Sequence, residues 1–366
     1  MKTFVSALGG VLLTTTTLAP VAAPLGLPEV PVPANNPLTP EKIQLGDKLF
    51  HDTRFSATGE VSCATCHDKK KTFTDSPLKV SEGINKLMGT RNAPTVVNAA
   101  YMHSMFWDGR EPDLEGQSAG PFINPVEMGL PNHEPILKIV RSDAEYTKLF
   151  KQAFNKHGKQ IKMQHVQQAI ASFERTIISG NSPFDQYQYG GDKHAMDEAA
   201  VRGFKVFREQ GRCISCHTVS QSYALFTDSR FHNLGVGFER INKDVGELTS
   251  AFAKAKRNAA EVDVAVLTNK NTSELGRYAV SIQSRDVGSF KTPTLRNVAK
   301  TAPYMHDGSL ESLLDVVKFY NNGGRVKESD PTFDFQSGGI RPLDLSDEQM
   351  DDLVAFMEAL TSPEYK

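Results

Sequence analysis

Two copies of one motif constrain this chain more than anything else in it: Cys63-Ala64-Thr65-Cys66-His67 and Cys213-Ile214-Ser215-Cys216-His217. In a C-x-x-C-H segment the two cysteines form thioether bonds to a haem, and the adjacent histidine is presented to its iron. The two motifs consume all four cysteines, so none is left for a disulfide. A pair of zinc or redox C-x-x-C sites is the alternative. It accounts neither for the histidine after each pair nor for the export signal described next. The reading is therefore two covalent c-type haems, each needing a wrapping of its own.

Export is expected from the N-terminus. Lys2 supplies a positive start, residues 4–18 are largely apolar, and Val21-Ala22-Ala23 offers small residues for cleavage after Ala23. A signal peptide over 1–23 suits the haems, since c-type haem is attached outside the bacterial cytoplasm, and predicts a periplasmic protein. No later segment is long and apolar enough to span a bilayer. Residues 24–38, rich in proline, read as a linker or mobile tail. A formal charge of −2 argues against nucleic acid as a partner. Lys69-Lys70-Lys71 reads as a solvated loop, with a docking patch for an acidic partner as the alternative.

A weak internal repeat divides the remainder. Leu45-Gly46-Asp47-Lys48-Leu49-Phe50 precedes the first haem motif, and Arg202-Gly203-Phe204-Lys205-Val206-Phe207 precedes the second. Both read as the end of a helix feeding a haem loop, with the shared glycine allowing a close approach to a backbone or to the haem. Thr39-Pro40-Glu41 starts the first helix; Asp197 caps the second, which is expected to end at Gly211. Val166, Ile170, Phe173 and Ile177 line one helical face; Met350, Leu353, Val354, Met357 and Leu360 line another, behind a Ser346-x-x-Gln349 capping box. No stretch alternates like a strand. The expected fold is mostly α: two cytochrome c-like domains, 39–195 and 196–366, each binding one haem. Residues 241–271 read as an insertion of uncertain order on the second domain.

With these segments in view, the chain resembles the bacterial di-haem cytochrome c peroxidase and MauG superfamily from about Leu38 onward. The resemblance rests on Leu49-Phe50-x-Asp52-x-Arg54-Phe55-Ser56, Arg91-Asn92-Ala93-Pro94-Thr95, Phe106-Trp107-Asp108-Gly109-Arg110, Asn124-Pro125-Val126-Glu127-Met128-Gly129, Phe231-His232-Asn233-Leu234-Gly235, and Thr292-Pro293-Thr294-Leu295-Arg296-Asn297 through Thr301-Ala302-Pro303-Tyr304-Met305-His306.

The resemblance implies an enzyme that reduces hydrogen peroxide at the His67 haem and passes electrons from the His217 haem. Gln117 and Glu127 match distal-pocket residues, where O–O cleavage needs a carboxylate to take and return a proton and an amide to orient the peroxide. Pro121 matches a residue limiting access to the iron. Trp107, the single tryptophan, matches a relay between the haems. Asn92, Thr301 and Pro303 match an inter-haem calcium site with the hard oxygen donors Ca²⁺ prefers.

Two departures from the ordinary peroxidase pattern point to the MauG-like branch. No histidine lies between His67 and Arg91, where peroxidases often carry one that blocks the iron; Met88 is the one residue there that could replace it. Tyr320 falls where the family places an axial methionine, and tyrosinate stabilises Fe(III) where methionine raises the potential. Against identity with MauG, Gly211 and Arg212 stand where MauG carries a tryptophan. The implied partner is a periplasmic protein oxidised at Tyr or Trp. The alternatives are a small cytochrome c or cupredoxin donor, or a non-catalytic di-haem electron carrier.

Overall fold

The computed structural model describes residues 23–324 and 335–366. The expected signal peptide, apart from Ala23, lies outside the described residues. The described chain is mostly helical, and its one sheet is a two-residue antiparallel pair, β1 (Phe231–His232) against β2 (Phe290–Lys291).

The longer helices are α1 (Pro40–His51), α2 (Glu134–Ser142), α3 (Ala144–Phe154), α4 (Met163–Glu174), α5 (Pro183–Gln188), α6 (Glu198–Arg208), α7 (Val245–Lys254), α8 (Ala259–Thr268), α9 (Leu313–Asn321) and α10 (Asp347–Glu358). Their starts follow the side chains. The Thr39 hydroxyl accepts from the Lys42 amide at 3.3 Å, ahead of a proline at the first helical position. The Asp197 carboxylate accepts from the Ala200 amide at 2.7 Å. Ser346 and Gln349 close the expected capping box on α10. Helix α6 stops at Arg208, earlier than Gly211, because the Gly211 amide turns back to the Val206 carbonyl at 2.8 Å. Helix α4 likewise ends at Glu174, so Ile177 is buried from the following turn and not from the helix.

The repeat has a physical basis in its two glycines. Helix α1 crosses α4 at Gly46, and α6 crosses α10 at Gly203. A Cβ on Gly46 would lie 1.9 Å from the Ala169 carbonyl oxygen, and one on Gly203 1.8 Å from that of Asp352. Each pair therefore meets backbone to backbone, which only glycine permits. Gly46→Ala and Gly203→Ala are each expected to cost about 1–3 kcal/mol, because the helices must separate. Gly246→Ala, with open space around it, should cost nothing, and urea unfolding of the three variants checks the contrast.

Two main apolar clusters result. The first gathers Leu45, Phe50, Phe55, Phe122, Tyr146, Phe150, Val166 and Ile170 with their neighbours. The second gathers Phe184, Phe204, Phe207, Phe226, Leu353 and Phe356. Phe184 sits edge-on to Phe204, Phe226 and Phe356. Packing thus changes hands before α5, ahead of the boundary expected at 195/196: the ring of Phe184 needs the second cluster to bury it.

Two further expectations are corrected. The proline-rich stretch 24–38 is no free linker. Its polar atoms are bound to both halves: Gly26 O accepts from Ala224 N and from Arg296, Pro28 O from the Tyr101 hydroxyl, and Asn35 O from Gln168. Asn36, 1% exposed, bonds Lys42, Glu115 and the Gln168 carbonyl. Turns closed by Leu27 N to Pro24 O and Asn36 N to Pro33 O shape the strap, and its other carbonyls find donors in both halves. Residues 241–271 are also ordered. Helices α7 and α8 bury Phe252, Val262, Val266 and Leu267 against Phe238, Leu275 and Tyr278 in a third cluster. Thr90 and Arg91 of the first half then hydrogen-bond Val266 O and Ser273.

Candidate active site

One cavity of about 620 Å³ runs between the halves, and both C-x-x-C-H segments line it. Each haem-motif histidine is oriented by its own loop. His67 Nδ1 lies 3.2 Å from Phe73 O, and His217 Nδ1 lies 2.8 Å from Phe226 O. A backbone carbonyl at Nδ1 places the proton there and leaves Nε2 as the metal-ligating lone pair. Burial lowers the pKa of both rings, favouring the neutral, ligating form. Burial also pushes the thiols of Cys66 and Cys213 up to about 12. That disfavours the thiolate a redox pair would need. The donor set, its orientation and a largely apolar cavity fit covalent haem.

Gln117, Pro121 and Glu127 line the same cavity as His67. A turn built on Asn124 fixes Glu127: Asn124 O accepts from the Glu127 amide at 3.1 Å, and Glu127 O accepts from Ile84 N at 2.9 Å. Burial, then the negative charge of Asp263, pushes the Glu127 carboxyl up to about 8; Arg110 pulls it the other way. Met88 is 48% exposed and does not line the cavity.

Trp107 lines the cavity at the junction of the halves. Its indole N–H donates to Asn92 O at 2.9 Å, and its carbonyl accepts from Lys291 N at 2.8 Å. Asn92, Thr301 and Pro303 also line the cavity, and Asn92 N is tied to His306 O at 2.8 Å. Tyr320, in the last turn of α9, lines it beside Cys213 and Cys216; burial raises its pKa, and so would charge on those two sulfurs. Gly211 and Arg212 line the cavity as well.

The structure adds residues that sequence reasoning left without a role. Arg91, Asp108, Arg110 and Asp263 form a buried row of alternating charge behind Glu127. Burial alone would raise Asp108, but the two guanidiniums hold it at about 2. Glu174 lines the cavity near Cys63, and its burial pushes it up to about 8. Arg110 lay within a recognised motif; Asp263 had no sequence signal, being 153 residues from its partner.

A mostly helical chain with two haem-attachment motifs opening on one inter-lobe cavity is a di-haem cytochrome architecture. Residues 40–194 match the family model described as di-haem cytochrome c peroxidase. The chain is 36% identical to the methylamine utilization protein MauG of Methylorubrum extorquens, over 94% of this chain and 85% of that one. It is 35% identical to the cytochrome-c peroxidase IdrP1 of Denitromonas iodatirespirans, over 93% and 87%. In three dimensions it resembles a MauG-like protein associated with microbial copper homeostasis, with a TM-score of 0.74, 30% identity and coverage of 94% and 98%. The chain belongs to the di-haem cytochrome c peroxidase and MauG family, and it is an oxidoreductase of that type.

Proposed function

We propose that this is a periplasmic enzyme of the MauG-like branch, which reduces hydrogen peroxide and draws the two electrons from side chains of a partner protein. The observation that carries this reading is the cavity shared by His67, Glu127, Gln117 and Pro121, with Met88 turned out to solvent. Among the described residues no helix is long and apolar enough to cross a membrane.

When bound, the two haems supply iron for peroxide reduction and for electron sharing. His67 and His217 would each hold one iron through Nε2, and Tyr320 would be a further ligand to the iron held by His217. Glu127 takes the proton from one peroxide oxygen and returns it to the other, so that water can leave. Gln117 orients the peroxide through its amide, and Pro121 narrows the approach. Trp107 stands as the relay between the haem sites. Asn92, Thr301 and Pro303 would hold a calcium ion that ties the relay to both halves. Overall, H₂O₂ with two electrons and two protons gives two waters.

The test is one equivalent of H₂O₂ added to the fully ferric protein, followed by optical and EPR spectroscopy. Loss of both ferric signals at once supports the MauG-like reading. Reaction only after one haem is reduced would overturn it in favour of a peroxidase fed by a small cytochrome c or cupredoxin. No reaction in either state would leave a non-catalytic electron carrier. Tyr320→Met tests the second ligand: the potential of that haem should rise by on the order of 0.1 V. A spectrum and potential unchanged in redox titration would remove Tyr320 from the iron.

A further inference from the structure

The inserted helix α8 delivers one charged side chain into the first half of the molecule. Asp263 accepts from Arg110 Nε at 2.8 Å and lies 2.7 Å from its Nη2. Its other oxygen accepts from the Asn124 amide at 2.6 Å. Asn124 is the residue on which the Glu127 turn is built, so Asp263 touches both the neighbouring cation of Glu127 and its scaffold. The Arg110 side chain is 6% exposed, stacks on Phe106 at 3.5 Å, and turns its Nη1 to Asp108 at 3.0 Å. Its guanidinium thus donates to Asp263 through Nε and to Asp108 through Nη1, and its Nη2 lies against Asp263 as an ion pair without a hydrogen bond. One Glu127 oxygen, buried in the same cavity, likewise has no hydrogen-bond partner among the described residues.

We propose that Asp263 is a positioning residue for the peroxide pocket: by sharing Arg110 with Asp108, it keeps that guanidinium from neutralising Glu127, so the insertion sets the protonation of the proton-handling group. This inference rests on the reading of Glu127 given above. The physical argument is a competition for one cation. A carboxylate beside a free guanidinium stays ionised at low pH. One beside a guanidinium already committed to two anions, with a further negative charge close by, holds its proton.

The charged groups around Glu127 are few. Arg110 and Asp263 act directly, and Asp108 and Glu111 stand next to Arg110. The loop whose Ile84 amide binds Glu127 O carries Glu82 and Lys86, both exposed to solvent. Cys63 and Cys66 face it from the haem side, where thioether formation leaves them uncharged. Asp263 is thus the charge on the second half that can be removed without touching peroxide or haem. Helix α8 is also held independently through the Thr90 hydroxyl, 2.7 Å from Val266 O.

The experiment is an infrared pH titration of the haem-loaded protein, reading the protonated-carboxyl band assigned to Glu127 by its loss in Glu127→Gln. Asp263→Asn should lower the titration midpoint by about one pH unit, and the pH at which the peroxide reaction accelerates should fall with it. Asp263→Glu keeps the charge and should restore the wild-type midpoint. An unchanged midpoint in Asp263→Asn overturns the proposal. So does an equal change in both variants, which would make Asp263 merely structural, or a titrating band that survives in Glu127→Gln. Should Asp263→Asn fail to load haem, Asp263→Glu still decides, because a midpoint lowered that far with the charge retained is incompatible with charge control. If Glu127→Gln loses the band yet reacts at the wild-type rate, the catalytic reading of Glu127 fails while the charge coupling stands.

Discussion

Glu127→Gln is expected to slow the reduction of hydrogen peroxide by about a hundredfold or more while both haems remain attached. The amide has nearly the shape of the carboxyl group, and no hydrogen bond to the buried Oε2 is lost among the described residues. What disappears is the ability to accept and return a proton. The pH profile carries the sign. Burial and Asp263 hold this acid up to about 8, so below that pH most molecules have it protonated and unable to act as a base. The wild-type rate should therefore climb as pH rises toward 8 and level off above it. The variant should show a low rate without that climb. Stopped-flow mixing across the pH range checks both features, and a variant with the wild-type profile would mean that another group handles the proton.

The second large effect concerns the scaffold. Arg296 is almost wholly buried and ties three segments together. Its Nη1 and Nη2 each lie 2.9 Å from a carboxylate oxygen of Asp185, Nη2 donates to Gly26 O at 2.6 Å, and Nε donates to Ala224 O at 2.7 Å. Arg296→Met would leave the Asp185 carboxylate buried and unpaired and the two carbonyls without this donor. The expected cost is about 3–5 kcal/mol. Thermal unfolding followed by circular dichroism should show a melting temperature lower by roughly 10 °C. Adding Asp185→Asn removes the stranded charge and should recover part of the loss. If the double variant is no better than the single one, the penalty lies in the packing of strap 24–38 and not in the unpaired carboxylate.

Much of the site was legible because its chemistry is local. A C-x-x-C-H segment carries its own attachment points and ligand within five residues, and a loop carbonyl nearby, Phe73 O or Phe226 O, completes the orientation. Helix starts were legible for the same reason, since a cap bonds a backbone amide two or three residues on. The glycines at 46 and 203 could be noticed in sequence. What they approach, the carbonyls of Ala169 and Asp352, could not.

The sequence by itself determined the kind of cofactor, the mostly helical character and the duplicated helix–haem-loop unit, because each depends on residues close together in the chain. Only the tertiary structure decided that 24–38 is a strap, that Phe184 belongs to the second core, and that 241–271 is a folded unit whose Asp263 reaches Arg110 in the first half. Strap prolines and a Lys/Ala-rich stretch give a weak local signal; their order comes from distant partners, Arg296 for Gly26 and Arg110 for Asp263. The protonation of Glu127 belongs with these. A carboxyl group's affinity for its proton is set by burial and by every charge within a few ångströms, and those charges come together only when the halves close on one another.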